Sequence, residues 1–396
     1  MRRLRAVLEA APEPTELRAV TLLAAAALEL RCGELTSFTA LAREAETLAR
    51  GMRASFAADV VHRAGLLYSG GVAPDDCTAA CADALALAPE QDWPVRASIL
   101  SAFALTPFYL GDFTRSRGFV EASLDALAHV PEGTPPFFEG FTFGFTVLPE
   151  GPEGRLRPLF EETIMFFHRF ARGAAEAYCL CKLAILARSE DRRDDNRALL
   201  DEALSRFRQL RDSRGEAHTL CILGNCARTF GEPDLALASL EQALELRRRS
   251  GDRRAVGITE NDIALALAFS GDLAGARALF TVAHDRFRAA DDAPGQGGVL
   301  VMWGIAEERS GRLERASELF TAGAEVWERH LRGHLPGWAW LTAADALLAT
   351  GEAERARIGI ERAERLLARV GDMRGLALCR ANAAKAVQRV GKDASS

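Results

Sequence analysis

A glycine that recurs every forty residues constrains the fold of this chain more than any other feature of its sequence. Glycine is the favoured residue just beyond the C-terminus of a helix, because a left-handed backbone there brings no side-chain clash. The period therefore predicts helices that end at regular intervals along an array of repeats. The series consists of Gly71, Gly111, Gly151, Gly231, Gly271, Gly311, Gly351 and Gly391, with Asp191 as the one interruption.

A second pattern follows the later glycines and predicts how the helices pack. A small residue, a large apolar residue and another small residue follow at steps of four and three, which places them on one helical face. Small residues let two helices approach, and the large residue fills the space between them. The sets are Ala236/Leu240/Ala243, Ala276/Phe280/Ala283, Ala316/Phe320/Gly323 and Ala356/Ile360/Ala363. Since one helix pair cannot bury its own apolar face, we expect an all-α fold, an α-solenoid of stacked antiparallel helix pairs with about nine repeats.

The central repeat resembles the tetratricopeptide repeat (TPR). The resemblance is carried by Leu223, Gly224, Gly231, Ala236, Leu240, Ala243 and Leu246, most of which recur in the three following repeats. The spacing is forty residues rather than about 34, and Arg248 stands where the family usually has a closing proline. Forty-residue repeats of this kind look like those of adaptor proteins that hold signalling partners. They also resemble the C-terminal sensor arrays of bacterial ATPase-type, maltose-regulator-like transcription regulators.

The repeat pattern divides the chain into three predicted segments. Residues 1–130 carry degenerate TPR-like repeats, and residues 171–396 carry the regular array with a terminal capping helix. Residues 131–170 between them are irregular and rich in proline and phenylalanine, and Gly140 and Gly144 weaken helix formation there, so we expect a short or kinked helix. The predicted helices outside the central repeats are 15–31, 35–50, 54–69, 75–88, 94–110, 114–129 and 375–390.

Composition excludes several classes of function. The net charge is −6, with basic and acidic residues interspersed, whereas a nucleic-acid platform would show a basic stripe of one sign. The most apolar run, from Val20 to Leu30, is too short to span a membrane. Acidic residues and prolines interrupt any signal-peptide core near the start. We therefore expect a cytoplasmic protein that contacts neither nucleic acid nor membrane directly.

No motif of catalysis or of metal binding is present in the sequence. It contains no phosphate-binding loop, no His-Glu-x-x-His motif and no nucleophile elbow. Its eight cysteines form no Cys-x-x-Cys pair, so reduced thiols that pack like small hydrophobic residues are expected. We therefore predict no enzyme activity, no cofactor and no metal site.

The resemblance to TPR arrays implies a groove lined by the first helix of each repeat. Counting from Ala217 as position one, positions two, five, nine, twelve and thirteen face the groove. Arg188 and Arg228 share position twelve in adjacent repeats, so together they could hold a carboxylate or phosphate. The aromatic groove residues would receive apolar groups of a partner. They are Phe108, Tyr109, Phe138, Phe141 and Phe145, and the polar and basic ones are Tyr178, Arg188, His218, Asn225, Arg228 and Asn261.

Each half of this predicted groove has a structural alternative. The phenylalanines could pack the irregular repeat against its neighbours, since aromatic residues at helical spacing are usually core. The arginines could be solvated or paired with carboxylates such as Glu190. The hypothesis rests on several such groups coinciding at groove positions.

Two functions remain open at this stage. The first is a non-catalytic TPR scaffold that binds a protein or peptide partner in its groove, acidic and with apolar anchors, in bacterial signalling or regulation. The second is the ligand-sensing arm of a transcription regulator that binds a small-molecule inducer. The ends of a solenoid also allow self-association.

Overall fold

In the computed structural model, every regular secondary-structure element within the described residues is a helix. The structure describes residues 4, 7–9, 13–32, 35–68, 74–103, 113–130, 161, 164, 173–331, 335–369 and 371–393. The helices are α1 (Glu16–Cys32), α2 (Leu35–Ala49), α3 (Ala54–Tyr68), α4 (Pro74–Leu87), α5 (Trp93–Phe103), α6 (Phe113–Ala128), α7 (Gly173–Ser189), α8 (Arg193–Gln209), α9 (Ser213–Thr229), α10 (Pro233–Ser250), α11 (Arg253–Ser270), α12 (Leu273–Ala289), α13 (Ala293–Arg309), α14 (Leu313–His330), α15 (Leu335–Ala349), α16 (Ala353–Arg369) and α17 (Met373–Asp393). The predicted all-α class is confirmed. The expected irregular helix between residues 131 and 158 lies outside the described residues.

The helices pack as a solenoid. Helices that follow one another pack together, as in α1 with α2, α7 with α8 and α15 with α16. First helices of successive repeats also contact each other, as in α1 with α3, α7 with α9 and α15 with α17. Each repeat is therefore held by its neighbours rather than by one central core, which confirms the predicted α-solenoid.

From Asp191 to Gly371, left-handed turns occur at a spacing of twenty residues, half that of the glycine series, except at Leu331, whose backbone is extended. The positive φ angles are those of Asp191 (57°), Arg211 (54°), Gly231 (76°), Gly251 (72°), Gly271 (99°), Asp291 (52°), Gly311 (75°), Gly351 (85°) and Gly371 (69°). The interpretation of Asp191 as an interruption was therefore wrong. Aspartate takes this conformation more readily than most residues, so the backbone register continues through position 191.

The small–large–small pattern forms the core of the second helices, as predicted. Leu240, Phe280 and Phe320 are fully buried, and Ile360 is only 3% exposed. The alanines on either side of each large residue are fully buried as well. Six cysteines, Cys81, Cys179, Cys181, Cys221, Cys226 and Cys379, are buried free thiols, which agrees with their predicted structural role.

At three places, a large apolar side chain of a second helix packs against a glycine of the first helix that follows. A Cβ atom at Gly215 would lie 2.2 Å from the Phe207 ring, and one at Gly295 would lie 2.2 Å from the Phe287 ring. Leu367 fills the same place against Gly375. These apolar plugs recur at eighty-residue intervals, and Arg247 occupies the matching position midway between the first two.

The chain divides into two compact units, each described here by itself. The first comprises Met1–Phe108, Phe113–Phe230 and Gln242–Arg253, and the second comprises Tyr109–Asp112, Gly231–Glu241 and Arg254–Ser396. The predicted segments 1–130, 131–170 and 171–396 stay a prediction. In the part of the chain that the structure describes, no helix is both long enough and apolar enough to cross a membrane.

Candidate ligand-binding face

The structure describes six of the eleven predicted groove residues. Tyr178 and Arg188 lie on α7, and His218, Asn225 and Arg228 lie on α9. Asn261 lies on α11 in the second unit, where its Oδ1 atom is buried without a hydrogen-bond partner among the described residues. The aromatic half of the groove, formed by Phe108, Tyr109, Phe138, Phe141 and Phe145, falls outside the described residues.

An aromatic contact joins the two first helices that carry the polar half. The Tyr178 ring on α7 lies 5.5 Å from the His218 ring on α9, measured between centroids. The same tyrosine meets the plug residue Phe207 edge-on, with a centroid distance of 4.8 Å. Because α7 packs directly on α9, these contacts fix the two helices side by side. We call the surface that carries Tyr178, Arg188, His218, Asn225 and Arg228 the α7–α9 face.

His218 is kept neutral by its surroundings. Burial lowers its pKa to about 3, and the positive charges of Lys182, Arg247 and Arg214 act in the same direction. Among the described residues, the charges that shift this pKa therefore all belong to cations on α7, α9 and α10. A partly buried imidazole surrounded by cations favours an anion beside it.

Lys182 is one of the basic residues acting on His218 that the sequence analysis missed. It lies one helical turn after Tyr178 on α7, at position six of its repeat, which the groove rule does not include. Burial lowers the pKa of its ammonium group, which the neighbouring thiols Cys181 and Cys179 oppose. A signal was available, because Lys182 is one of only three lysines in a chain with 49 basic residues.

Arg188 and Arg228 act on a common neighbour. The positive charges of both guanidinium groups lower the pKa of the Cys226 thiol, although burial raises it overall. Cys226 itself is 1% exposed and accepts a hydrogen bond of 3.3 Å from Asn196 Nδ2. Both arginines are partly buried. A guanidinium group offers forked donors to a carboxylate or a phosphate.

The remaining thiols near this face are structural. Cys181 Sγ lies 3.3 Å from Thr219 Oγ1, which links α7 to α9. Burial raises the pKa of Cys181 to about 11 and raises that of Cys179 further. A nucleophilic cysteine needs a thiolate, so the structure assigns these groups to packing.

Two arginines of α8 pair with carboxylates of the first helices on either side of it. Arg206 Nη1 donates to Glu176 Oε2 at 2.7 Å, and the glutamate side chain is only 5% exposed. Arg208 Nε donates to Glu216 Oε1 at 2.7 Å. The acidic groups at the starts of α7 and α9 are therefore engaged with α8, away from Lys182 and His218.

The second unit neutralises its buried charges internally. Arg277 Nε donates to Glu307 Oε1 at 2.6 Å, and Trp303 Nε1 donates to the same oxygen at 3.0 Å. Glu260 receives two hydrogen bonds from Arg286. Within the described residues, no group of three or more His, Cys, Asp or Glu side chains could hold a metal ion.

Comparison with known proteins gives one family. The sequence model of the tetratricopeptide repeat matches residues 173–249 and 222–289. Among curated proteins, no sequence matches the chain. The family match thus covers α7 to α12, which includes the α7–α9 face.

Comparison with solved structures finds three helical-repeat proteins of low sequence identity. A Rap protein complexed with competence and sporulation factor is 11% identical, with a TM-score of 0.52 over 96% of this chain and 99% of that one. Aspartyl phosphate phosphatase F from Bacillus subtilis is 12% identical over 77% of this chain and 83% of that one, with a TM-score of 0.48. A signal transduction ATPase with a tetratricopeptide repeat sensor from Pyrococcus horikoshii is 15% identical over 88% of this chain and 62% of that one, with a TM-score of 0.42.

The family match and the stacked helix pairs point to the same conclusion. The left-handed turns, the small residues where helices cross and the contacts between successive first helices are the structural counterparts of the matched pattern. This chain carries tetratricopeptide repeats over residues 173–289.

Proposed function

We propose that this TPR protein is a non-catalytic cytoplasmic scaffold in signalling or regulation, which binds an acidic segment of a partner protein on its α7–α9 face. The observation that carries the proposal is that Arg188 and Arg228 occupy the same repeat position on α7 and α9, which pack against each other. A carboxylate held by two guanidinium groups gains charge-assisted hydrogen bonds from each of them. Apolar groups of the partner would occupy the predicted aromatic half of the groove.

The fold comparison supports a binding role without defining the ligand. The Rap protein of similar fold was solved in complex with a factor, so a helical array of this kind can accommodate one. The charges of the α7–α9 face supply the preference for an acidic partner. The preference for an acidic partner is thus inferred from residues of this chain and not from the Rap protein.

The test is a binding experiment on the full chain. The wild-type protein and the Arg188→Glu/Arg228→Glu variant would be compared by affinity capture from the source lysate and by fluorescence anisotropy with acidic peptides recovered from the captured partner. We expect the variant to lose at least tenfold in affinity while its thermal unfolding is unchanged. Equal affinity of both proteins would overturn the proposal.

A matched control carries the same change in charge elsewhere in the first unit. Arg197 and Arg249 lie on second helices and form exposed pairs with Asp201 and Glu245. The Arg197→Glu/Arg249→Glu variant should keep wild-type affinity. If no protein partner is captured and a metabolite fraction instead raises the melting temperature, the ligand-sensing arm replaces the scaffold as the function.

A further inference from the structure

At four of the described turns, a residue with a side-chain hydroxyl stands directly before the left-handed glycine. The four residues are Ser250, Ser270, Ser310 and Thr350, and the glycines that follow them have φ angles of 72°, 99°, 75° and 85°. Each hydroxyl donates a hydrogen bond to a backbone carbonyl three or four residues earlier in the chain. The four hydroxyls therefore occupy equivalent places, and any difference in their chemistry comes from the residues around them.

The residues before Ser250 differ from those before the other three hydroxyls. Three arginines, at positions 247–249, come directly before Ser250. The corresponding residues before Ser270 and Thr350 are all apolar, and those before Ser310 are two glutamates and one arginine. Among the hydroxyls at the described turns of this kind, that of Ser250 is therefore the one that follows a run of arginines.

The hydroxyl of Ser250 lies where an enzyme can reach it. Ser250 is exposed and is the last residue of α10. Its Oγ donates to the Arg247 carbonyl oxygen at 2.8 Å, a bond that engages the hydroxyl proton and not the oxygen lone pairs. A Cβ atom at the next residue, Gly251, would lie in open space. Because helix ends fray and open at little cost, the last turn of α10 can enter an active site without unfolding of the repeat.

Two of the arginines before Ser250 are presented at the surface. Arg248 and Arg249 are both exposed. Arg249 Nε donates to Glu245 Oε1 at 2.7 Å, and the two side chains are 72% and 54% exposed. Since an exposed pair of this kind contributes little free energy, an acidic pocket of an enzyme can compete with Glu245 for Arg249.

We propose that Ser250 is a modification site, which is phosphorylated by a serine kinase that selects arginines before its acceptor residue. Charge patterns near the acceptor are one means by which kinases discriminate substrates. In the transfer, Ser250 Oγ forms a bond to the γ-phosphorus of a nucleoside triphosphate, and the bond from that phosphorus to the β–γ bridging oxygen breaks. The hydroxyl proton passes to the catalytic aspartate of the kinase, and a nucleoside diphosphate leaves. This inference goes beyond the proposed function and does not depend on it.

The charge of the turn suits the product as well as the reaction. A phosphoserine carries a charge of about −1.5 to −2 at neutral pH and has three acceptor oxygens. Residues 247–253, all in the first unit, include four arginines and one aspartate. The dipole of α10 disfavours an anion at its C-terminus, and this excess of positive charge offsets that effect. Phosphorylation therefore cancels about half of the positive charge of the turn.

The test is phosphorylation of the full chain in a lysate of its source cells, supplied with ATP that is labelled on the γ-phosphate. Mass spectrometry of proteolytic fragments locates the phosphate. We expect incorporation at Ser250 to exceed that at Ser270 and Ser310 at least about tenfold. Ser250→Ala should lose this incorporation, and Ser270→Ala, which removes a hydroxyl from an equivalent place, should keep it. The absence of phosphate at Ser250, or equal incorporation at the three serines, would overturn the inference.

Two further variants test the selection of arginines. Arg248→Gln/Arg249→Gln keeps Ser250 and should lower its initial rate of phosphorylation at least about tenfold. Glu308→Arg changes an exposed residue and, together with the native Arg309, places two arginines before Ser310. It should raise the rate at Ser310 by a similar factor. An unchanged rate at Ser250 in the first variant, or at Ser310 in the second, would overturn the proposal. Because the second variant gains a signal, it decides the question even if the first fails to fold.

Discussion

Two sets of charged residues in this protein, one in the second unit and one on the α7–α9 face of the first unit, differ in composition. In the second unit, Glu307 is 1% exposed and pairs with Arg277, and Glu260 is 3% exposed and pairs with Arg286. On the α7–α9 face of the first unit, the charges that act on the partly buried His218 are all positive. The repeat scaffold is the same in both. The difference is that paired charges in the second unit join neighbouring helices, whereas the charges that act on His218 are of one sign.

The largest effect is expected where a buried pair of the second unit is broken. Arg277→Ala would leave the Glu307 carboxylate buried with Trp303 as its remaining donor. Burial by itself raises the pKa of Glu307, and the hydrogen bonds from Arg277 and Trp303 lower it below its usual value. We expect a loss of about 3 kcal/mol in the free energy of unfolding, measured by urea denaturation. Arg315→Ala, which removes an exposed pair with Glu318, should cost less than about 0.5 kcal/mol. Similar costs for both variants would contradict the distinction.

The next effect is a pH dependence carried by His218. Its pKa in the folded state, about 3, is below the ordinary value of 6.5. The unfolded chain therefore binds a proton that the folded chain does not. Stability from this group is fully present above pH 6.5 and is lost as the pH falls towards 3, by at most about 1.4 kcal/mol per pH unit. His218→Gln should flatten the stability curve between pH 6 and 4, as measured by thermal unfolding. His129→Gln, just after α6, is the control, and parallel curves for wild type and His218→Gln would contradict the prediction.

Removal of Lys182 should have the opposite sign to removal of Arg277. Burial lowers the pKa of Lys182, so the folded state disfavours its ammonium form. Lys182→Met keeps the length of the side chain and removes the charge, and we expect a gain of about 1 kcal/mol in the free energy of unfolding at pH 7. The gain should shrink as the pH rises towards 10.5, because the wild-type amine then loses its proton in both states. A destabilised Lys182→Met protein would place Lys182 among the structural charges and break the comparison.

The smallest effects test whether the turns of the two units have the same backbone conformation. Arg211 in the first unit and Gly311 in the second both have left-handed φ angles, 54° and 75°. This conformation costs a residue with a side chain roughly 1 kcal/mol. Arg211→Gly should therefore stabilise the protein by about 0.5 kcal/mol, after the entropy of glycine is counted, and Gly311→Ala should destabilise it by about 1 kcal/mol. Urea denaturation of both variants would check this. Changes of the same sign would show that the turns are not equivalent.

The fold could be predicted from the sequence because its determinants are local and repeated. Glycine at the turns and the small–large–small sets, such as Ala236, Leu240 and Ala243, report helix ends and helix crossings within a few residues. The turns at Arg211 and Asp291 escaped notice, because neither residue is a glycine. Tertiary context holds those turns in place.

The candidate site could be predicted only in part. Position in the repeat selected Arg188, His218 and Arg228 on α7 and α9. Position alone did not select Lys182, whose importance depends on what surrounds it. Position alone also did not select Arg247. Its effect on His218 depends on how the second helix of a repeat packs against the first helix of the same repeat. That geometry becomes visible only from the contacts of the neighbouring plug, Phe207.

The twenty-residue spacing of the turns has a consequence for how such a chain can change in evolution. Most helices from α7 to α16 are followed by a left-handed residue, and Phe207, Phe287 and Leu367 each meet a glycine eight residues later. Duplication or loss of a forty-residue segment of the gene preserves both relations, whereas an insertion of a few residues within a helix breaks them. The length of the array can therefore vary in whole helical hairpins while each hairpin diversifies its surface independently, as the repeat with His218 and Arg247 has done.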